Sequence, residues 1–368
     1  MINGRQMKTK LTCITIAALI LCAPCLADGY VPDPGVGEED VRAVMPEGAD
    51  SLPSPSDPGF FPGLWKLITS DLEERIARGA AMLSSIVSVT AVGAVLKTVS
   101  SSVPDRRAKV FDWLVCLCAA WTAMGPLREL FALARDRLDS LCGFMNAVTP
   151  VTGALWALGG DVRTGLAQSA GVTLMTSVFS CVNSRLLEPL AGGLAALCAA
   201  SSLSDLTPGI SAAVKKLFVT ALGFMMTVFT FVLGIQTQLS KSADTLAMRS
   251  VRFAFSGFVP VVGSLVGESA RSVSAALSAV RASAGTLIAA AVVTVVAAPL
   301  IAAAIFKLCL RLGAFFASLC SMKELAGLFG GLNDACSLVL ALLLSSGVYF
   351  IISASFFIFS GAALGGVS

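Results

Sequence analysis

Phe255-Ser256-Gly257-Phe258-Val259-Pro260-Val261-Val262-Gly263-Ser264-Leu265 is an apolar run punctuated by glycine and broken by one proline. Lys241, Asp244, Arg249 and Arg252 precede it, and Glu268, Arg271 and Arg281 follow. A helix needs about 20 apolar residues to cross a bilayer, and this run is shorter. A Pro-Gly break at membrane depth also requires protein or a water-filled cavity to satisfy the freed backbone groups. The expectation is a re-entrant or broken helix at Pro260. Arg249, Arg252, Pro260, Gly263 and Glu268 are candidates for a structural or conduit motif. Two readings stand side by side: Pro260 and Gly263 only turn a hairpin that the arginines anchor at the headgroups, or Arg249, Arg252 and Glu268 line a conduit or meet a partner.

The same punctuation occurs upstream at Thr149-Pro150-Val151-Thr152-Gly153, so Pro150 and Gly153 join the candidate motif. Glu188-Pro189-Leu190 and Ala298-Pro299-Leu300 keep the same offset of about 110 residues, which suggests an internal repeat with halves 141–250 and 251–360. Chance is the rival, because Pro-Val-x-Gly is cheap in a chain with 33 glycines.

Composition sets the class. Hydrophobic residues make up 56% of the 368 residues and charged residues 13%, about half the charged share of a soluble domain. The expectation is an all-α polytopic integral membrane protein. The net charge of +3 is spread between apolar runs, which gives no support to nucleic-acid binding. There is no histidine, so the usual general base, the Ser-His-Asp and Cys-His systems and the commonest metal ligand are absent. Neither a catalytic role nor a cofactor is expected. Most of the 11 cysteines, such as Cys116, Cys118, Cys181, Cys198 and Cys309, sit within apolar runs and read as small buried hydrophobes.

In chain order, Arg5, Lys8 and Lys10 precede an apolar run, and Cys25-Leu26-Ala27 suits a signal peptidase, so residues 1–27 read as a secretory signal peptide. Residues 28–62 hold eight acidic residues, one basic residue and seven prolines, a composition expected to form a disordered extracytoplasmic linker. Over 63–80, Leu64, Trp65, Leu67, Ile68, Leu72 and Ile76 recur at helical spacing opposite charged residues. That pattern predicts an amphipathic helix, lying in the interface with Trp65 as its anchor or packed on a partner.

A polytopic domain is expected over 81–360, with segments near 81–96, 110–127, 141–158, 166–182, 186–203, 217–235, 286–306, 308–319 and 336–359. Several are short, which leaves about six to nine crossings. Lys97, Arg106, Arg107 and Lys109 place the first loop in the cytoplasm. If every segment crossed, the basic stretch 241–281 would lie outside, so a hairpin over 166–203 is expected not to cross. Arg185 and Glu188 sit at its centre as a candidate intramembrane charge pair or as a tip in the headgroups.

The order Gln236, Asp244, Arg249, Arg252-Phe253, Phe258-Val259-Pro260-Val261-Val262-Gly263, Glu268 resembles the signature of the stage III sporulation protein AE family of endospore-forming bacteria. The leader, the acidic linker, the Pro150 segment and the C-terminal apolar run are similar too. Arg252 replaces a usual lysine and Ser264 a usual glycine, without loss of charge or turn. The resemblance implies a multi-pass protein of the mother-cell membrane around the forespore. It implies, as partners, the other proteins of the stage III sporulation A operon, including a cytoplasmic ATPase, and a forespore-membrane protein. Together these would form a channel or secretion complex needed for endospore development. No catalytic residues come with the resemblance. Beside a platform or conduit subunit of such a complex stands a second expectation, a secondary transporter with its site at the broken helices around Pro150 and Pro260.

Overall fold

The structure, a computed structural model, describes residues 35–46, 49–70, 72–100, 105–158, 162–182 and 262–362, with isolated positions between 193 and 231. Seven helices are described: α1 (Gly35–Arg42), α2 (Phe60–Thr69), α3 (Leu72–Ser100), α4 (Asp105–Leu158), α5 (Val162–Val182), α6 (Val262–Leu319) and α7 (Lys323–Ala362). No strand occurs among the described residues. Among the described residues, four stretches are long and apolar enough to cross a membrane: Phe60–Thr98, Trp113–Ala157, Ala279–Leu319 and Lys323–Ser355.

Expected segments merge. Residues 110–127 and 141–158 belong to the single 54-residue α4, and 286–306 and 308–319 to the single 58-residue α6. The charged stretch of α4 between Arg128 and Asp139 contains no breaker, and Leu127, Leu130, Ala134, Leu138 and Leu141 continue one buried stripe through it at helical spacing. Nor does α4 break at Pro150. The proline removes one backbone bond. Around it, Thr149 Oγ1 donates to the Met145 carbonyl at 2.6 Å and Thr152 Oγ1 to the Thr149 carbonyl at 3.0 Å. The segments at 186–203 and 217–235, together with Pro189 and Pro260 on which the repeat rests, lie outside the described residues apart from isolated positions.

Packing fixes the directions. Arg75 meets Ala298, Gly79 meets Ile305, Ile86 meets Gly313 and Lys97 meets Ser321, so both numbers rise together and α3 runs parallel to α6. Gly285 with Ile358 and Gly347 with Val296 set α7 antiparallel to α6. Thr176 with Asn146 and Gly165 with Trp156 set α5 antiparallel to α4. Glycine permits these approaches. A Cβ at Gly79 would lie 2.3 Å from Ile305 Cγ2, and one at Gly313 would lie 2.6 Å from Ile86 Cγ2. Small residues that let backbones approach are how helices associate where lipid supplies no hydrophobic drive.

The α6–α7 turn is a Schellman cap. The Met322 amide donates to the Ala317 carbonyl at 2.9 Å and the Ser321 amide to the Ser318 carbonyl at 3.0 Å. Ala317 and Met322 are both buried, supplying the apolar contact that accompanies this motif. Lys97 of α3 donates from Nζ to the Ser321 carbonyl, setting a cation at the C-terminus of α6. Ser321 carries φ 56°, which glycine adopts without a Cβ penalty. Ser321→Gly is therefore expected to stabilise the folded chain by about 0.5–1 kcal/mol, read as a higher thermal midpoint in detergent. An unchanged or lower midpoint would show that the serine is not strained.

Within the acidic stretch expected to be a disordered linker, residues 35–46 and 49–62 are described, and they include α1 and the start of α2. Val41, Ala49 and Leu52 are buried, and the α1 side chain of Glu38 accepts from Arg42 Nη2 at 2.8 Å and Ser54 Oγ at 2.8 Å. Composition alone weighs only what a segment can bury within itself. Here α6 supplies the other surface, since Ser283 Oγ donates to Glu38 Oε2 at 3.2 Å. The amphipathic helix also differs in extent: α2 buries Phe60 and Leu64 and exposes Trp65, while residues 72–80 run on into α3.

Two interruptions share one level of the bundle: Pro299 sits inside α6, and Ser345-Ser346-Gly347 of α7 lies beside it. Pro126 sits inside α4, nearer the α6–α7 turn. Arg75 of α3 donates to the carbonyl beside Pro299, Pro126 lines the same cavity as Arg75, and Gly347 touches Val296.

Candidate functional site

Above that level, α4, α5, α6 and α7 enclose a seam of buried polar groups. The centre is Arg281, 1% exposed near the start of the apolar part of α6. Its Nη2 donates to the Leu155 carbonyl at 2.9 Å, and the guanidinium lies 4.7 Å from the centre of the Trp156 ring. Trp156 in turn meets Phe357 edge-on at 6.1 Å. A desolvated cation over an indole is worth about 2 kcal/mol, and the hydrogen bond from a charged donor adds a comparable amount. Two residues along α6, Ser283 ties this seam to Glu38 and so to the N-terminal acidic segment.

Further along the seam, Gln168 Nε2 of α5 donates at 3.1 Å to both the carbonyl and the Oγ of Ser353 on α7. Tyr349 donates to the Gly171 carbonyl at 3.1 Å, and Thr176 Oγ1 to Asn146 Oδ1 at 2.7 Å. Gln168 Oε1 is buried with no hydrogen-bond partner among the described residues. Beside it is a space of about 20 Å³ lined by Thr149, Thr152 and Ser353, enough for one water. Such a network fixes the register of four helices. It holds neither a nucleophile paired with a base nor room for a solute.

A second polar feature opens on the bundle's side. Arg75, Arg78, Ser85, Thr122 and Glu129 line a cavity of about 350 Å³ with Met82, Leu133 and Phe306 as its apolar floor. Arg78 pairs with Glu74 at 2.5 Å.

Of the candidates read from sequence, Pro150 is exposed on α4 and Gly153 half-buried, with the Gly153 carbonyl 3.5 Å from where a Cβ on Gly165 would stand. Gly263 and Glu268 lie on the first turns of α6. Arg249, Arg252, Pro260, Arg185 and Glu188 lie outside the described residues. Sequence reasoning treated Arg281 as a polar flank and passed over Gln168. A signal existed for Arg281: the run from Ala284 to Val292 is apolar on every side except Thr286, which marks a fully enclosed helix. A charge at the edge of that run needed partners.

Comparison with known proteins gives one family. The family model of stage III sporulation protein AE matches residues 57–361. No curated protein and no solved structure matches.

Proposed function

Because the chain belongs to the stage III sporulation protein AE family, we propose that it is a membrane subunit of the complex that spans the two membranes between mother cell and forespore. It acts there as a platform or conduit element and not as an enzyme. The family match over residues 57–361 carries this reading, and four apolar helices fit it. Its partners are the other proteins of the same operon, among them a cytoplasmic ATPase, and a protein of the forespore membrane. It sits in the mother-cell membrane after removal of its signal peptide, with the acidic segment outside the cytoplasm.

Platform is the version that packing favours. Close glycine contacts at Gly79, Gly285 and Gly313 and the enclosed Arg281 seam make a tightly keyed scaffold. A permease site at Pro150 has less support, since α4 continues through that proline and the space beside it is about 20 Å³.

Deleting the gene in a sporulating host and restoring it with an affinity-tagged copy tests the role. Development is expected to stop after engulfment without the chain, and the tagged copy is expected to co-purify with the ATPase and operon partners. Normal spores from the deletion strain would end the proposal. In the same strain Arg249→Gln and Arg252→Gln separate the two readings of the basic pair: retained spore formation assigns it to anchoring, and a loss of at least tenfold to the conduit or a partner.

A further inference from the structure

We infer that the bilayer surrounds only one half of this bundle and that the other half, with the Arg281 seam, stands outside it as a helical head. The inference rests on the chain's place in a membrane and goes beyond its place in a complex.

Length gives the first reason. Ala279–Leu319 spans 41 residues, about 60 Å of helix, twice the thickness of the hydrocarbon core. Measured back from the α6–α7 turn, about 20 residues reach the level of Pro299, and that alone fills about 30 Å. Surface chemistry also changes along the bundle. On the turn side the exposed faces carry Val92 and Val95 of α3, Leu117 and Trp121 of α4, and Leu308 and Phe315 of α6; Trp121 is 85% exposed. Past Pro126 the exposed face of α4 carries Arg128, Glu129, Asp136, Asp139, Ser140 and Asn146. A bilayer over that face would strip water from at least four charges. Exposed apolar residues on this side, Leu166 and Leu174 on α5 and Phe61 and Trp65 on α2, alternate with exposed Thr173, Ser177, Lys66 and Ser70.

The packing of α1 gives an independent reason. Glu38 is bonded to Ser283, so exposed Glu39 and Asp40 lie alongside the upper part of α6. Hydrocarbon there would enclose a segment that composition marks as aqueous. Within the belt, exposed Arg311 is eight residues from the end of α6, close enough for its long side chain to reach the headgroups. Lys307 is half-buried. At the turn, Lys97 and Lys323 mark the cytoplasmic rim. The head therefore projects from the opposite face, together with the acidic N-terminal segment.

The test uses the full chain, otherwise free of cysteine, in membrane vesicles that are frozen and thawed with a water-soluble maleimide present. The reagent then meets both faces. Asp136→Cys and Ala154→Cys, at exposed head positions, are expected to react as fast as in detergent. Leu117→Cys and Leu308→Cys, in the belt, are expected to react at least about tenfold more slowly until detergent is added. Equal protection at all four positions would put the bilayer over the head and overturn the inference. Equal reactivity at all four, with release of the chain by alkaline carbonate, would instead remove it from the membrane altogether.

Discussion

Gly79→Leu and Gly313→Leu are each expected to abolish recovery of folded chain from detergent extracts. A Cβ at position 79 would already stand 2.3 Å from Ile305 Cγ2, and one at 313 would stand 2.6 Å from Ile86 Cγ2. Both obstructing atoms belong to β-branched residues with little rotamer freedom on a helix, so the backbones themselves must separate. Overpacking by a few methylenes costs about 1–3 kcal/mol in a core that can shift, and two glycines keyed in opposite directions leave α3 and α6 no common shift. Size-exclusion profile and thermal midpoint give the readout. Ile305→Ala removes the atom that Gly79→Ala would strike, so that double variant is expected to recover part of what Gly79→Ala alone loses. Gly143→Ala is the control: nothing stands within 4 Å of its Cβ, and it should stabilise α4 by up to about 1 kcal/mol. Loss at position 143 equal to that at 79 would sink the packing argument.

The second large effect concerns Arg281. Arg281→Ala is expected to destabilise the bundle by about 3 kcal/mol or more, through a cavity beside Trp156 and a buried Leu155 carbonyl left without this donor. Arg281→Met keeps most of the volume and should cost less, about 2 kcal/mol, because removing the charge also removes its desolvation cost. Thermal unfolding of both variants measures this, with hydrogen exchange around residues 155–158 reporting the local end of the loss. A difference below about 1 kcal/mol for Arg281→Ala would mean that the cation is tolerated and not used.

The class of the chain was legible in its composition, and the family was legible in the order of residues around Pro260. Helix continuity was not. Mean hydropathy falls across Arg128 to Asp139, which cuts α4 in two when read as an average, whereas Leu127, Leu130, Ala134, Leu138 and Leu141 carry one stripe through the charges. Periodicity held the information that the average discarded. For residues 35–57 even periodicity is weak, because α1 packs on α6, a helix more than two hundred residues away in sequence. The buried seam was half legible: Arg281 sat at the edge of a run apolar on nearly all sides, but its partners Leu155 and Trp156 come from α4, and no local pattern links the two.

Pro299 of α6 and the Ser345-Ser346 pair of α7, side by side at one level, make these two long helices a jointed frame. A continuous α6 is a stiff strut of about 87 Å, yet at Pro299 it lacks a backbone bond. The Ser345-Ser346 pair, whose hydroxyls bond back to Leu342 and Leu343, softens α7 at the same height. Bending resistance is therefore lowest across one plane, and a tilt of about 5° there carries the far tips of struts this long through several ångströms while each half keeps its own packing.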